Sequence, residues 1–238
     1  MKILITICAR GGSKGIPNKN IKDLNGKPLI SYTIDFAQKF SSIHPCDIVL
    51  STDSDDIRAV AEKSGLFTNY RRSTVLASDS AGKIDVINDI LLFQEEQTAK
   101  EYDYIIDLDI TSPLRTQDDL IFAIEKIQAN DKALNIFSVS PANRNPYFNM
   151  VEKNINGFFN LVKKSDSIKS RQEAPEVYDM NASFYIFRRT FFKEGCKTTT
   201  TERSLAYIMP HLCFDLDHLH DFKIMEILLK EKLIDFSI

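Results

Sequence analysis

The chain opens on an apolar, β-forming run, Lys2-Ile3-Leu4-Ile5-Thr6-Ile7-Cys8-Ala9. It ends abruptly in Arg10-Gly11-Gly12-Ser13-Lys14-Gly15-Ile16-Pro17-Asn18-Lys19-Asn20. A buried strand that empties into glycines and cations points to an α/β sheet with an anion-handling loop at its carboxyl end. Gly11, Gly12 and Gly15 let backbone N–H groups approach an anion with no Cβ in the way. Arg10, Lys14 and Lys19 add positive charge: arginine can fork onto two phosphate oxygens, while lysine acts as a mobile point charge. The loop is not of the Walker A type, which ends in Gly-Lys-[Ser/Thr] and opens a helix at once. Here Lys14 precedes Gly15, and Pro17 blocks an immediate helix. The Gly-x-Gly-x-x-Gly dinucleotide pattern is not met either. The plainer alternative, an exposed turn with solvated charges, fits poorly with three cations directly after a buried strand.

Strand and helix patterns alternate over the first half. Helical spacing predicts a helix from Leu29 to Ala37, with Pro28 near its first turn. Asp47 to Asp53 reads as a short buried strand. Asp55 to Gly65, with acids first and glycine last, reads as a capped helix. Ile84 to Leu91 and Leu120 to Ile127 have helical spacing; Tyr102 to Leu108 and Ile136 to Val139 read as strands. This alternation predicts a mostly parallel sheet covered by helices on both faces. Arg10, Asp53, Asp109 and Ser112 would then emerge at the carboxyl ends of its strands, where ligands bind in such sheets. Residues 142–180 break the pattern and read as short antiparallel strands forming an arm. Ala182 to Phe187 and Leu205 to Met209 return as strands, and a helix from Asp221 to Leu233 closes the chain.

With 43% hydrophobic residues, the 238-residue chain can bury the core of a single domain spanning 1–238. Lys+Arg 30 against Asp+Glu 33 leaves a net charge of −3, so nothing argues for a nucleic-acid partner. Four scattered cysteines without a C-x-x-C pair argue against a disulfide framework or a zinc site and for a reducing, cytoplasmic setting. Cys8 reads as a small core residue. No leader peptide and no membrane-spanning run is evident.

The motif Ala9-Arg10-Gly11-Gly12-Ser13-Lys14-Gly15-Ile16-Pro17-x-Lys19-Asn20 resembles the opening of the CMP-sialic acid synthetases (acylneuraminate cytidylyltransferases), and the resemblance runs along almost the whole chain. It implies a Rossmann-like nucleotidyltransferase with a small antiparallel dimerisation arm at 142–180. The implied reaction joins CTP to a nonulosonic acid, giving the CMP-sugar and pyrophosphate. The assembly would be a homodimer, with pairing into tetramers left open. Gly12 and Ser13 then belong to the nucleotide loop with Arg10, Lys14 and Lys19. Asn20 lies on the cytidine side, Arg72 near the nucleotide, and Ser78 and Ser80 in the loop Leu76-Ala77-Ser78-Asp79-Ser80 that touches the base. Serines usual just after that loop are replaced by Ala81 and Lys83.

On spacing alone, Asp215 and Asp217 fit either a cation site or a solvated edge with Asp217 capping the next helix. The resemblance implies that this late Asp-x-Asp carries Mg²⁺. His218-Leu219-His220-Asp221 follows where the family often has Thr-Glu-Leu-Asp, and His218 and His220 read as surface or packing residues. Asp109 stands where the family has a glutamine that meets the sugar's acylamino group, in a segment that also holds Ser112. A carboxylate cannot offer the amide's N–H donors, so a sugar other than N-acetylneuraminate is expected. Arg171, a surface charge on residue type alone, is by resemblance the group that forks onto the sugar carboxylate from the partner subunit. Gln172, Asn181 and Tyr185 fall on the same side. The segments Ile106 to Asp109, Arg144 to Asn149 and Tyr178 to Ser183 look most like the CMP-legionaminic acid synthetases within the family. Alternatives are an N-acetylneuraminate or 3-deoxy-manno-octulosonate cytidylyltransferase. From another class, a non-catalytic nucleotide-binding regulator also remains.

Overall fold

The computed structural model describes residues 1–12, 15–164, 168, 170–236 and 238; the side chain at position 171 lies outside the description. Along the chain, β1 (Ile3–Cys8) leads through a 3-10 turn (Lys19–Ile21) and a two-stranded ribbon, β2 (Asp23–Leu24) and β3 (Lys27–Pro28), to α1 (Leu29–Ile43). Then come β4 (Asp47–Ser51), α2 (Asp55–Lys63), α3 (Lys83–Thr98), β5 (Tyr104–Leu108), α4 (Gln117–Gln128) and β6 (Asn135–Pro141). The arm contains β7 (Val151–Lys153) and β8 (Phe159–Leu161) and ends in a 3-10 turn (Arg171–Glu173). The chain returns as β9 (Tyr178–Arg188), α5 (Arg189–Lys193), β10 (Ser204–Ile208) and α6 (Leu219–Lys230).

Six strands form one sheet in the order β10-β6-β9-β5-β1-β4. β1 pairs in parallel with both β4 and β5, placing Ile5 beside Ile48 and Ile106. β1 shows why the sheet needs two helical layers. Successive side chains alternate between faces, so Ile3, Ile5 and Ile7 join a core with Ile30, Ile34, Leu120 and Phe222, while Leu4 joins a second with Ile84, Ile87 and Ile90 of α3. Each fully buried Ile or Leu contributes roughly 1.5–3 kcal/mol. A continuous apolar strand is thus stable only when covered on both sides.

The sheet departs from uniform parallel order at β9, which runs antiparallel to both β5 and β6. The arm accounts for this. It leaves from the carboxyl end of β6 and comes back to the same end, so the returning strand can only run the opposite way. The first part of β9 pairs with β6 alone, and a register shift falls between Phe137 and Val139. Inside the arm, β7 and β8 form an antiparallel hairpin. α1 and α3 run beyond the apolar stretches that mark them in sequence. α6 begins at Leu219 rather than Asp221, because His218 and Asp221 form a reciprocal capping box. No described helix is long and apolar enough to cross a membrane. The four cysteines are free thiols.

Another capping box closes the start of α4 and reaches further. Asp119 accepts hydrogen bonds from Thr116 N (2.6 Å) and Thr116 Oγ1 (2.8 Å), lies 2.9 Å from His211 Nε2 through the same oxygen, and accepts Tyr207 OH (3.1 Å) on the other. Burial opposes a charge on either partner, but mutual attraction outweighs it: the His211 pKa is raised and the Asp119 pKa lowered. Asp119 therefore stays ionised at neutral pH. The stability from protonated His211 is full below about pH 6.5 and fades as pH rises through its raised value. His211→Ala should therefore lower the melting temperature more at about pH 6 than at about pH 8.5; equal losses at both would exclude a charged pair.

Candidate active site

A cavity of about 460 Å³ opens at the carboxyl ends of β1, β4 and β5. Its walls carry Arg10, Lys19, Asn20, Arg72, Ser78, Asp109 and Asp217, all selected from the sequence, together with Cys8, Asp79, Lys83 and Thr111. Arg10 and Asp217, at opposite ends of the chain, thus face the same space.

Local bonds explain how the glycine loop is held. Gly11 N donates to Asp53 Oδ1 (2.9 Å) and Asn20 Nδ2 donates to the Arg10 carbonyl (3.0 Å), which fastens both ends of the loop. Asn20 thereby shapes the loop as well as lining the cavity. A Cβ on Gly11 would lie 3.0 Å from Ser54 Cβ, and one on Gly15 would lie 3.2 Å from the Asp217 carbonyl oxygen. The loop and the Asp217 segment therefore approach closely through a position where a side chain would push the Asp217 backbone aside. Arg72 is buried and pinned to the end of β4, donating from Nε to Ser51 Oγ (2.9 Å) and from Nη2 to the Ser51 carbonyl (2.8 Å).

The acidic segment is positioned just as closely. Leu216 N donates to the Thr111 carbonyl (2.8 Å) and its side chain is fully buried, while Asp221 Oδ2 accepts from Asp217 N (3.0 Å) and His218 N (2.7 Å). His218 is thus the helix cap, and Asp217 is left free to face Lys19. Arg115, fully buried, supports the neighbouring loop by donating to the carbonyls of Asp109 and Ser112, and lies 5.5 Å over the Phe36 ring. Burial lowers its pKa to about 10, so it remains charged at neutral pH.

Cations and acids alternate around the cavity. Arg10 Nη1 is 2.8 Å from Asp79, and Lys19 Nζ is 3.0 Å from Asp217. These pairs are partly solvated and worth at most about 1 kcal/mol each, so a multiply charged ligand can displace them. Lys83 is held differently. Its Nζ lies 3.1 Å from the buried Asp107 and 3.0 Å from Asp109, and 4.7 Å above the Tyr185 ring. Burial disfavours its charge, but the two carboxylates outweigh that and push its pKa well up. Asp109 falls to about 2: burial opposes, but Lys83 and the Thr111 N–H and hydroxyl outweigh it. Cys8 is not only a core residue, since it lines the cavity; burial and Asp107 push its thiol pKa well up and keep it protonated.

Asp215 behaves oppositely. Burial first, and then the charges of Asp109 and Asp217, raise its pKa to about 6. Its Oδ1 is buried without a hydrogen-bond partner. An orphaned carboxylate oxygen beside a second carboxylate suits a hard divalent cation, which takes oxygen ligands and relieves the repulsion.

Several expected site residues are not part of the cavity wall. Ser112 is fully buried, and its carbonyl accepts from Arg115 and from Ser183 Oγ (3.0 Å), so it braces the loop behind the wall. Asn181 is buried and spends its side chain on Ser140 Oγ (2.8 Å) and Ser183 N (3.3 Å). Tyr185 sits behind Lys83, packed against Phe187. Ser80 is exposed beside Ser78, and Gly12 and Gln172 are exposed. Ser13, Lys14 and the Arg171 side chain lie outside the described residues. Lys83 was visible in sequence only as a departure from a serine, and Asp79 only as part of the base-contacting loop.

The sequence matches the profile of the cytidylyltransferases over residues 4–234. This chain belongs to the cytidylyltransferase family. The cytidylyltransferase is 43% identical to the post-translational flagellin modification protein B of Campylobacter coli and 42% identical to the CMP-N,N'-diacetyllegionaminic acid synthase of Campylobacter jejuni. Each alignment covers 97% of this chain and 96% of the relative. It is 30% identical to the N-acylneuraminate cytidylyltransferase of Streptococcus agalactiae, over 93% of this chain and 52% of that one. Its fold is that of CMP:2-keto-3-deoxy-manno-octonic acid synthetase, solved with CTP: TM-score 0.68 at 15% identity, over 98% and 100% of the two chains. As a nucleotidyltransferase, the enzyme needs cations along a triphosphate and little covalent participation from the protein. Arg10→Ala and Lys19→Ala should each weaken CTP binding by about tenfold or more, the usual scale for a lost charge-assisted contact, as read by calorimetry. Unchanged affinity in both would move the triphosphate off this loop.

Proposed function

We propose that this cytidylyltransferase activates a nonulosonic acid of the legionaminic type with CTP, yielding the CMP-sugar and pyrophosphate. The observation that carries the reading is the full-length likeness to a CMP-N,N'-diacetyllegionaminic acid synthase, joined to a cavity whose cations and acids suit a nucleoside triphosphate. The sugar's anomeric hydroxyl oxygen attacks the α-phosphorus, the bond to the bridging oxygen breaks, and pyrophosphate leaves with the electron pair while the hydroxyl proton passes to solvent. Arg10 and Lys19, released from Asp79 and Asp217, hold the phosphates, with Lys14 and Ser13 on the same loop. Arg72 and Asn20 border the cytidine, with Ser78 and Ser80 near the base. Asp215 and Asp217 would hold a magnesium ion, which when bound neutralises charge on the triphosphate and the departing pyrophosphate. Pyrophosphate release from CTP should be fastest with legionaminate, slower with N-acetylneuraminate and least with 3-deoxy-manno-octulosonate, and Asp217→Asn should lower it by about a hundredfold or more. A wild-type enzyme inert with all three sugars would favour a nucleotide-binding regulator.

The arm, residues 142–180, serves in this reading as a dimerisation element. Phe158 and Phe159 of the β7–β8 hairpin are 71% and 65% exposed, and Met150, Val151 and Ile155 are exposed with them. An apolar patch of this kind on a short hairpin calls for a covering surface. Arg171, at the end of the arm, would fork onto the sugar carboxylate in the partner's site. Phe158→Asp with Phe159→Asp should turn a dimer into a monomer in light-scattering measurements and raise KM for the sugar. A variant that stays dimeric would place the interface elsewhere.

A further inference from the structure

We propose that Lys83 determines specificity for the sugar acid: its ammonium presents one N–H to an oxygen acceptor on that substrate, and Asp109 acts by positioning the lysine. The inference rests on the proposed function and deepens it. A sequence reading places Asp109 against the sugar as an acceptor, but most of its accepting capacity is already taken within the protein. Oδ1 takes Thr111 N (2.9 Å) and Thr111 Oγ1 (2.8 Å), and Oδ2 takes Lys83 Nζ (3.0 Å). The lysine has three N–H donors. Two are directed to Asp107 (3.1 Å) and Asp109, leaving one.

The surroundings fix the direction of the third. Asp107 is 1% exposed and is held by Thr6 Oγ1, which donates to it (2.8 Å). The Tyr185 ring lies on the side away from the cavity, since Lys83 and Asp109 line the cavity and Tyr185 does not. The ammonium is thus backed by two carboxylates and an aromatic face, and its open side is the cavity. Lys83 is also the first residue of α3 and lies over β5, next to β9, whereas the loop cations and Arg72 gather over β1 and β4. A nucleotide on the loop leaves the Lys83 end for the second substrate. A fixed N–H of this kind donates to an acyl carbonyl or hydroxyl oxygen of the sugar acid.

Steady-state kinetics with CTP and the turned-over sugar acid test the role. Lys83→Gln should raise KM for the sugar about tenfold or more while leaving KM for CTP within about twofold. Lys83→Arg, which keeps the charge beside Asp107, should retain part of the sugar affinity. Asp109→Asn should raise the same KM, and the double variant Lys83→Gln with Asp109→Asn should be no worse than Lys83→Gln alone, as expected when one residue acts through the other. Calorimetric CTP binding by each variant confirms that the site is folded. Unchanged sugar KM in Lys83→Gln, equal rises in both KM values, or loss of CTP binding in both lysine variants would overturn the role. If wild type turns over a sugar acid, these outcomes bear on Lys83 alone; if wild type is inert with every sugar acid, the proposed function falls and this role with it.

Discussion

Opposite charges drawn from distant parts of the chain meet at one end of the sheet, and the site depends on that meeting. Lys19 and Asp217 are separated by 198 residues, and Lys83 and Asp107 by 24. Gathering several cations around one cavity is costly unless acids lie between them. Here each described cation of the pair type has one: Asp79 for Arg10, Asp217 for Lys19, Asp107 and Asp109 for Lys83. The pairs differ in depth, and depth separates their roles. Solvated pairs exchange readily for a phosphate ligand, whereas removing one partner from a buried pair leaves an uncompensated charge. The first two pairs are therefore open to exchange with a charged ligand, and the third is part of the frame.

The same side chain takes opposite characters within this small volume. Asp109 sits near pKa 2 because a lysine and two Thr111 donors stabilise its charge despite burial. Asp215 sits near 6 because burial and two neighbouring carboxylates outweigh what Ser112 and Lys83 offer. The first is satisfied within the protein. The second lacks a partner for a buried oxygen, so the late acidic pair suits a cation better than Asp107 and Asp109, which Lys83 already neutralises.

The scaffold makes this convergence possible. β1 is apolar on both faces, so it lies inside the sheet, and its carboxyl end is where the chain changes from core to loop. The arm imposes the one reversal of direction, in β9, which brings Tyr185 and Ser183 in behind the loop that carries Asp109. Caps finish the placement. Asp221, nominally a helix-capping residue, holds the backbone of Asp217, and Asp119 ties the start of α4 to Tyr207 and His211.

Sequence alone determined the elements and the loop, because both depend on short-range patterns. Apolar runs dictate buried strands, 3.6-residue spacing dictates helices, and glycines among cations after a strand mark where the chain leaves the sheet. It also marked the arm, where the pattern failed. Only tertiary structure decided which polar residues face the cavity. Ser112 and Asn181 have the right chemistry, yet partners inside the protein claim them; Lys83 reads as an incidental change in sequence, and only the fold sets Asp107 and Asp109 on either side of it. The direction of β9 and the His211 contact to Asp119 were likewise beyond reach of local patterns. Which oxygen is satisfied and which is left open depends on partners tens to hundreds of residues away, and such contacts leave no periodic signature in the chain.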